Sequence, residues 1–188
     1  STAVLGFAYE AARRDPMSAL EAAGSLPASP ERDEALAHAV RQWAASDGTA
    51  AADWAAKIPD VALRQRLVAA TAVGLAQSDG PAAASLVAKS LAEGQEQSQA
   101  AVSIVQAWAQ NAPQAAASWV ALFPDTPDRT AAAENLAMIW AVQDRQAAGQ
   151  WVQGLPEGSL RQAALAGYAQ VPGDAQVEPQ EADSTDER

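Results

Sequence analysis

The sequence predicts an all-α protein, a right-handed α-solenoid of about five helical hairpins that each span 32 residues. The six tryptophans fall into three pairs, and the members of each pair are eleven residues apart: Trp43/Trp54, Trp108/Trp119 and Trp140/Trp151. A motif of Asp, Pro or Gly, Ala-Ala, Trp, Leu-Pro and Arg recurs at intervals of 32, 32, 33 and 32 residues. Fixed periods of this size are typical of stacked supersecondary units.

Residues 1–14 come before the first complete unit. In repeat register, residues 5–14 occupy the place of a second helix, with Phe7 and Tyr9 as the large side chains. We therefore expect residues 1–14 to be the second helix of a preceding, truncated repeat, which favours a fragment of a longer protein.

Residues 15–171 are predicted to form the five hairpins. Each unit begins at a capping position: Asp15, Asp47, Asp79, Ala112 and Asp144. An Asp at the start of a helix accepts hydrogen bonds from free amides of the first turn and complements the helix dipole. A proline then interrupts the first helix of four units: Pro27, Pro59, Pro124 and Pro156. Leu91 replaces it in the third unit, where we expect the extra residue to lengthen the turn at residues 93–97.

The tryptophans are predicted to fill the junction between successive units. The same two repeat positions are otherwise held by Ala22, Leu75 and Leu86, which are apolar. This substitution pattern favours packing in the core. The alternative is carbohydrate stacking, which requires an exposed indole face.

An arginine lies seventeen residues after the start of four units: Arg32, Arg64, Arg129 and Arg161. A cation near the N-terminus of the second helix opposes the helix dipole, so each arginine needs a partner. We expect that partner to be a capping Asp or the free carbonyls at the end of the first helix. A row of anion-binding arginines is the alternative, but the third unit has Glu96-Gln97 at this place.

The last segment, residues 172–188, is predicted to be a disordered acidic tail. It contains almost no large apolar residue, so burial cannot offset the entropy of ordering. The formal net charge of the chain is −11, of which residues 174–188 contribute −5. An acidic chain without a basic stripe argues against nucleic-acid binding. Apolar stretches stay well short of about twenty residues, which argues against membrane insertion.

The residue types needed for catalysis are scarce. Cysteine is absent, and His38 is the only histidine, so no second imidazole is present for a metal site. The sequence contains no glycine-rich phosphate loop and no recognisable Ser-His-acid arrangement. We therefore expect no catalytic, cofactor-binding or metal-binding residues, and no enzyme activity.

Two rows of polar residues are candidates for binding a protein or peptide. The first-helix row consists of Glu21, Asp53, Ser85, Ser118 and Gln150. The second-helix row consists of Glu34, His38, Arg41 and Arg66. Repeat arrays vary such faces while keeping the stack, although a solvated face explains the same variation. Neither row is preferred, and the acidic body favours a partner of basic or neutral polar character.

The hairpin units resemble the HEAT-like and TPR-like α-solenoid superfamilies. Residues 160–165 (LRQAAL) and 31–36 (ERDEAL) look like the start of the second helix of a HEAT repeat, including the early arginine. The motif built on Trp, Asp-Pro and Leu-Pro also resembles repeat arrays of uncharacterised bacterial proteins. This resemblance implies a non-catalytic scaffold for protein-protein interaction within a larger bacterial protein. The alternative function is a repeat domain that binds a glycan or a small ligand.

Overall fold

The computed structural model describes residues 2–173, and this part of the chain contains eleven α-helices and no strand. The predicted all-α class is confirmed. The predicted tail lies outside the described residues from position 174 onward. The helices are α1 (Thr2–Ala11), α2 (Pro16–Gly24), α3 (Pro30–Ser46), α4 (Gly48–Ala55), α5 (Val61–Leu75), α6 (Gly80–Ser90), α7 (Gln95–Ala109), α8 (Pro113–Val120), α9 (Pro127–Gln143), α10 (Arg145–Gly154) and α11 (Ser159–Ala169).

Four of the even-numbered helices begin at a capping aspartate, as the sequence predicts. The carboxylates of Asp15, Asp47, Asp79 and Asp144 each accept a hydrogen bond from the backbone N–H three residues later, at 3.1, 3.0, 2.9 and 2.9 Å. Ala112 has nearly the same backbone conformation as Asp15, with φ of −145° against −144°. It lacks a side chain that can accept, so the first turn of α8 is the uncapped one of the five.

This difference predicts a stabilising substitution. Ala112→Asp should raise the free energy of unfolding by about 0.5–2 kcal/mol, because the backbone already holds the capping geometry and the N–H of Ala115 needs an acceptor. Denaturant unfolding of the variant and the parent chain measures this. Gln114→Asp adds the same charge to the same turn without a capping bond and should gain less. An Ala112→Asp variant that is no more stable than Gln114→Asp would contradict the prediction.

The prolines in the motif lie shortly after the ends of four even-numbered helices. A proline disfavours helical backbone in the residue before it, and α2, α4, α8 and α10 all stop two to four residues before their proline. With Leu91 in the proline's place, α6 continues to Ser90. Residues 95–97 form the first turn of α7. The expectation that the extra residue lengthens the turn at 93–97 is therefore wrong, because the residue is absorbed by the longer helix.

The helices pack in chain order. Each odd-numbered helix contacts the next odd-numbered helix, and each even-numbered helix contacts the odd-numbered helices on either side of it. No two even-numbered helices share a substantial contact in the described part of the chain. The core is therefore a series of layers along the odd-numbered helices, with Leu67, Ile104 and Leu136 fully buried on α5, α7 and α9.

The tryptophan pairs connect an odd-numbered helix with the even-numbered helix that follows. The ring centroids of Trp43 and Trp54 are 6.4 Å apart, and those of the other two pairs are 6.0 and 5.7 Å apart. Tilted and edge-on contacts at these distances are favourable for aromatic rings. Trp140 is buried, while the other five tryptophans are partly buried. Each pair therefore fills the junction between an odd-numbered helix and the even-numbered helix that follows it.

Candidate binding surface on the odd-numbered helices

The structure brings the residues of one candidate row together and leaves those of the other row apart. Glu34, His38 and Arg41 of the second-helix row lie on α3, and Arg66 lies on α5. Arg66 donates a hydrogen bond from Nη2 to Oε2 of Glu34, which forms a salt bridge between these two helices. The members of the first-helix row lie on five helices that do not pack on one another, at exposed or partly buried positions. Only the second-helix row is brought together.

Four clefts follow one another along the surface of α1, α3, α5 and α7, which we call the odd-helix face. The first two share Tyr9, and the second and third share Glu34 and Arg66. The third and fourth share Arg41, Val73 and Ser103. Because each cleft shares lining residues with the next, they form one continuous surface rather than four separate pockets.

The ionisable side chains on the odd-helix face balance in number. Four arginines and four glutamates line the four clefts: Arg13, Arg14, Arg41, Arg66, Glu10, Glu31, Glu34 and Glu96. The surface therefore carries no formal net charge when His38 is neutral. The charge of −11 on the whole chain does not describe this face.

The fourth cleft, with a volume of about 610 Å³, is lined largely by amide side chains. These are Gln77, Gln106, Gln110 and Asn111, and Asn111 Nδ2 donates to the backbone oxygen of Gln77 at 2.8 Å. A side-chain amide both donates and accepts, as a peptide group does. Arg41 lies in the same cleft, and its Nε is buried with no hydrogen-bond partner among the described residues.

The repeat period in the sequence points to several of the residues that line the clefts, including ones outside the two candidate rows. Adding the repeat period to Glu34 leads to Arg66 and then, with the extra residue of the third unit, to Gln99, and all three line the third cleft. The same step from Arg41 leads to Val73 and Gln106, which line the fourth cleft. One period before Arg41 lies Tyr9, which lines the first two clefts, so the repeat register also leads to this residue.

His38 lies against Tyr9, with ring centroids 5.0 Å apart. Burial lowers the pKa of His38 below 6.5, and the positive charges of Arg41 and Arg13 lower it further, while Glu34 acts in the opposite direction. Burial also raises the pKa of Tyr9. Since a lowered pKa means that protonation favours unfolding, the contribution of His38 to stability is complete above pH 6.5 and is lost as the pH falls through the lowered value.

A proton NMR titration of the single histidine tests this arrangement. The midpoint should lie below 6.5, and Arg41→Gln should raise it without restoring 6.5, because burial is the larger cause. Lys89→Gln on α6 serves as the control and should leave the midpoint unchanged. A midpoint at or above 6.5 in the parent chain would contradict the conclusion that burial and these cations outweigh Glu34 at His38.

The arginine row has partners within each hairpin. Arg64 donates to the carbonyl oxygens of Ile58 and Pro59 at 2.6 and 3.3 Å, which lie in the turn after α4 rather than at the end of the helix itself. Arg129 and Arg161 instead pair with acids in the turn, Asp125 and Glu157.

Arg32 differs again, because its Nε and Nη2 donate to the carboxylate of the neighbouring Asp33 at 2.8 and 2.6 Å. None of the four uses the capping aspartate of its unit in these contacts. The partners nevertheless offset the unfavourable dipole within each hairpin, which supports a packing role over an anion-binding row.

Residues 2–173 contain neither a metal-binding cluster nor a membrane-spanning helix. No group of three or more His, Asp or Glu side chains in this range is arranged to hold a metal ion. No helix in the same range is long and apolar enough to cross a membrane. Comparisons of the chain with protein-family models, curated proteins and solved structures find no match in any of the three.

Proposed function

We propose that the chain is a non-catalytic helical-repeat scaffold, a right-handed α-solenoid of five 32-residue hairpins that binds an extended protein segment on the odd-helix face. The repeated capping aspartates and the packing of each helix only on near neighbours in the chain support the array. In such arrays every unit contacts only its neighbours, and the stack creates an extended surface.

The observation that carries the proposed binding function is the continuity of the four clefts. They extend across α1, α3, α5 and α7, which corresponds to three spacings of about 8–10 Å between packed helices. An extended chain advances about 3.3 Å per residue, so this length fits a segment of about eight residues. A small molecule would occupy only one of the clefts, whereas an extended peptide can reach all four.

The lining also indicates the chemistry of the partner. Equal numbers of arginines and glutamates favour a segment without a large net charge. The amide groups of Gln77, Gln106, Gln110 and Asn111 can form hydrogen bonds with peptide groups of the partner. Glycan binding is less well supported, because the indole rings that would stack on a sugar pack on one another.

A displayed library of random eight-residue peptides tests the proposed function. Peptides that bind the full chain are measured against two matched triple variants by calorimetry. The groove variant combines Arg41→Ala, Gln106→Ala and Gln110→Ala. The control variant combines Glu21→Ala, Asp53→Ala and Gln150→Ala from the first-helix row. We expect the groove variant to bind at least about tenfold more weakly, as removal of a few central contacts commonly does.

The melting temperatures of both variants should stay close to that of the parent chain, since the substituted side chains are exposed or partly buried. Weaker binding by the control variant with normal binding by the groove variant would place the partner on the even-numbered helices. That result would overturn the assignment to the odd-helix face.

A further inference from the structure

A cavity of about 260 Å³ lies between α6, α7, α8 and α9, apart from the odd-helix face. Most of its lining is apolar, including Val87, Trp119 and Phe123. Trp119 and Phe123 meet edge to face, with ring centroids 4.8 Å apart and planes at 87°. The polar side chains on the lining are Gln97, Ser98, Thr126 and Asp128. The proposed peptide surface does not use any of these residues.

The cavity occurs at the one hairpin that lacks the recurrent arginine. Gln97 is the third residue of α7, the same helical position that Arg32, Arg129 and Arg161 occupy in α3, α9 and α11. Its Nε2 donates to the carbonyl oxygen of Leu91, six residues earlier, at 3.4 Å. Arg64 makes the equivalent bond to Ile58, also six residues earlier. Gln97 therefore takes the arginine's place.

Glutamine has a shorter side chain than arginine, so the substitution leaves space. The Nε atoms of Arg129 and Arg161 are buried, which shows that the long side chain fills the interior of those hairpins. In the third hairpin the corresponding volume stays open between the first turn of α7 and the aromatic pair. Gln97 borders the cavity, where the longer arginine of the other hairpins would occupy part of the space.

The charge distribution of the lining favours a positively charged ligand. Asp128 is the only ionisable residue of the lining. Its carboxylate has no hydrogen bond or salt bridge within residues 2–173. Aromatic faces attract cations through their quadrupole, and a carboxylate beside them adds a charge partner. An anion in the same place would meet the carboxylate without any cation to offset it.

We propose that this cavity binds a small organic cation, an ammonium group carried on an aromatic or branched apolar body. The apolar body packs against Trp119, Phe123 and Val87, and the ammonium group lies toward Asp128. The volume is somewhat below the range of about 300–1,000 Å³ that is usual for drug-sized ligands, which favours a smaller molecule. The same chemistry can come from a free amine or from a lysine side chain beside an aromatic residue in a peptide.

Calorimetric titration of the full chain with phenethylammonium chloride tests the proposal. Phenethyl alcohol and 3-phenylpropionate, of similar size, serve as the neutral and anionic comparisons. We expect the ammonium to bind about tenfold more tightly than the alcohol, and the carboxylate more weakly than either. Tightest binding by the carboxylate, or equal binding by all three, would overturn the proposal. A blocked Phe-Lys dipeptide distinguishes the sources, because it binds more tightly than the amine only if the natural cation belongs to a peptide.

Two variants with the same added charge locate the site. Gln97→Arg fills the cavity with the residue that four other hairpins carry at this position, so the fold should persist and binding of phenethylammonium should fall at least about tenfold. Gln95→Arg, at an exposed position that does not line the cavity, adds the same charge and should bind nearly as the parent chain does. Equal loss in both variants would overturn the assignment to this cavity.

Asp128→Asn tests the role of the carboxylate separately. The preference for the ammonium over the alcohol should then fall well below tenfold, because the carboxylate is removed while the aromatic lining stays. An unchanged preference for the ammonium would exclude Asp128 as the recognising group. Binding of peptides to the odd-helix face should be the same in all three variants, which separates this site from the proposed scaffold function.

Discussion

Replacing Trp140 with alanine is expected to lower the free energy of unfolding by about 3–5 kcal/mol, the range for deleting a buried large aromatic side chain. Trp140 is 5% exposed, the smallest exposure among the six tryptophans. Its ring packs on that of Trp151 at 5.7 Å, so the substitution removes contacts between α9 and α10 as well as core volume. Denaturant unfolding followed by circular dichroism measures the loss.

Val142→Ala is the matched control, because it shortens an apolar side chain on the same helix that is 71% exposed. It should change the free energy of unfolding by less than about 0.5 kcal/mol. Trp119 is only partly buried, so Trp119→Ala should cost less than Trp140→Ala. If Trp140→Ala were as mild as Val142→Ala, the indole would not be packed, and stacking on a carbohydrate would again be a reasonable function for it.

Gly74→Ala should destabilise the protein by about 1–3 kcal/mol or more, the usual cost of forcing extra volume into a packed interior. A Cβ at position 74 would overlap with the carbonyl oxygen of Arg41 and lie 3.0 Å from the Cβ of Ala44. The obstructing oxygen belongs to the backbone of α3, so α3 and α5 would have to separate. This penalty opposes the gain of about 1 kcal/mol that alanine has over glycine inside a helix.

Gly6→Ala is the control, and it should change the free energy of unfolding in the opposite direction. Gly6 lies inside α1, and a Cβ there would meet nothing within 4 Å. The helix preference is therefore unopposed, and the variant should be more stable than the parent chain by about 0.5–1 kcal/mol. A stabilised Gly74→Ala variant would contradict the close approach of α3 and α5. Gly167 makes a similar approach to the backbone of Glu134, so the contact recurs between α9 and α11.

The helix class and the helix starts could be predicted from the sequence, because they depend on interactions between residues a few positions apart. A capping aspartate such as Asp79 satisfies an amide three residues later, and a proline such as Pro156 keeps the residue before it out of the helix. The all-α class and the helix starts follow from these short-range effects. The same reasoning failed at residues 93–97, because a missing proline permits either a longer turn or a longer helix.

The candidate site was only partly predictable. Glu34, Arg41 and Arg66 were among the candidates, yet so were five residues on even-numbered helices that the structure leaves apart. Spacing along a helix shows which residues share a face, but it does not show which face meets the next helix. The clefts depend on contacts between residues more than thirty positions apart, such as the salt bridge from Arg66 to Glu34.

The sequence by itself determined the helices, their capped starts and the repeat, since each rests on hydrogen bonding and backbone preferences within a few residues. Tertiary structure alone decided that the odd-numbered helices pack on one another, that four clefts join along them, and that an open cavity remains where Gln97 stands in an arginine's place. The physical reason is that packing depends on how side-chain volumes from different helices fill a shared space. A single glycine such as Gly74 or a shorter side chain such as Gln97 changes that space, while the local helix signals stay the same.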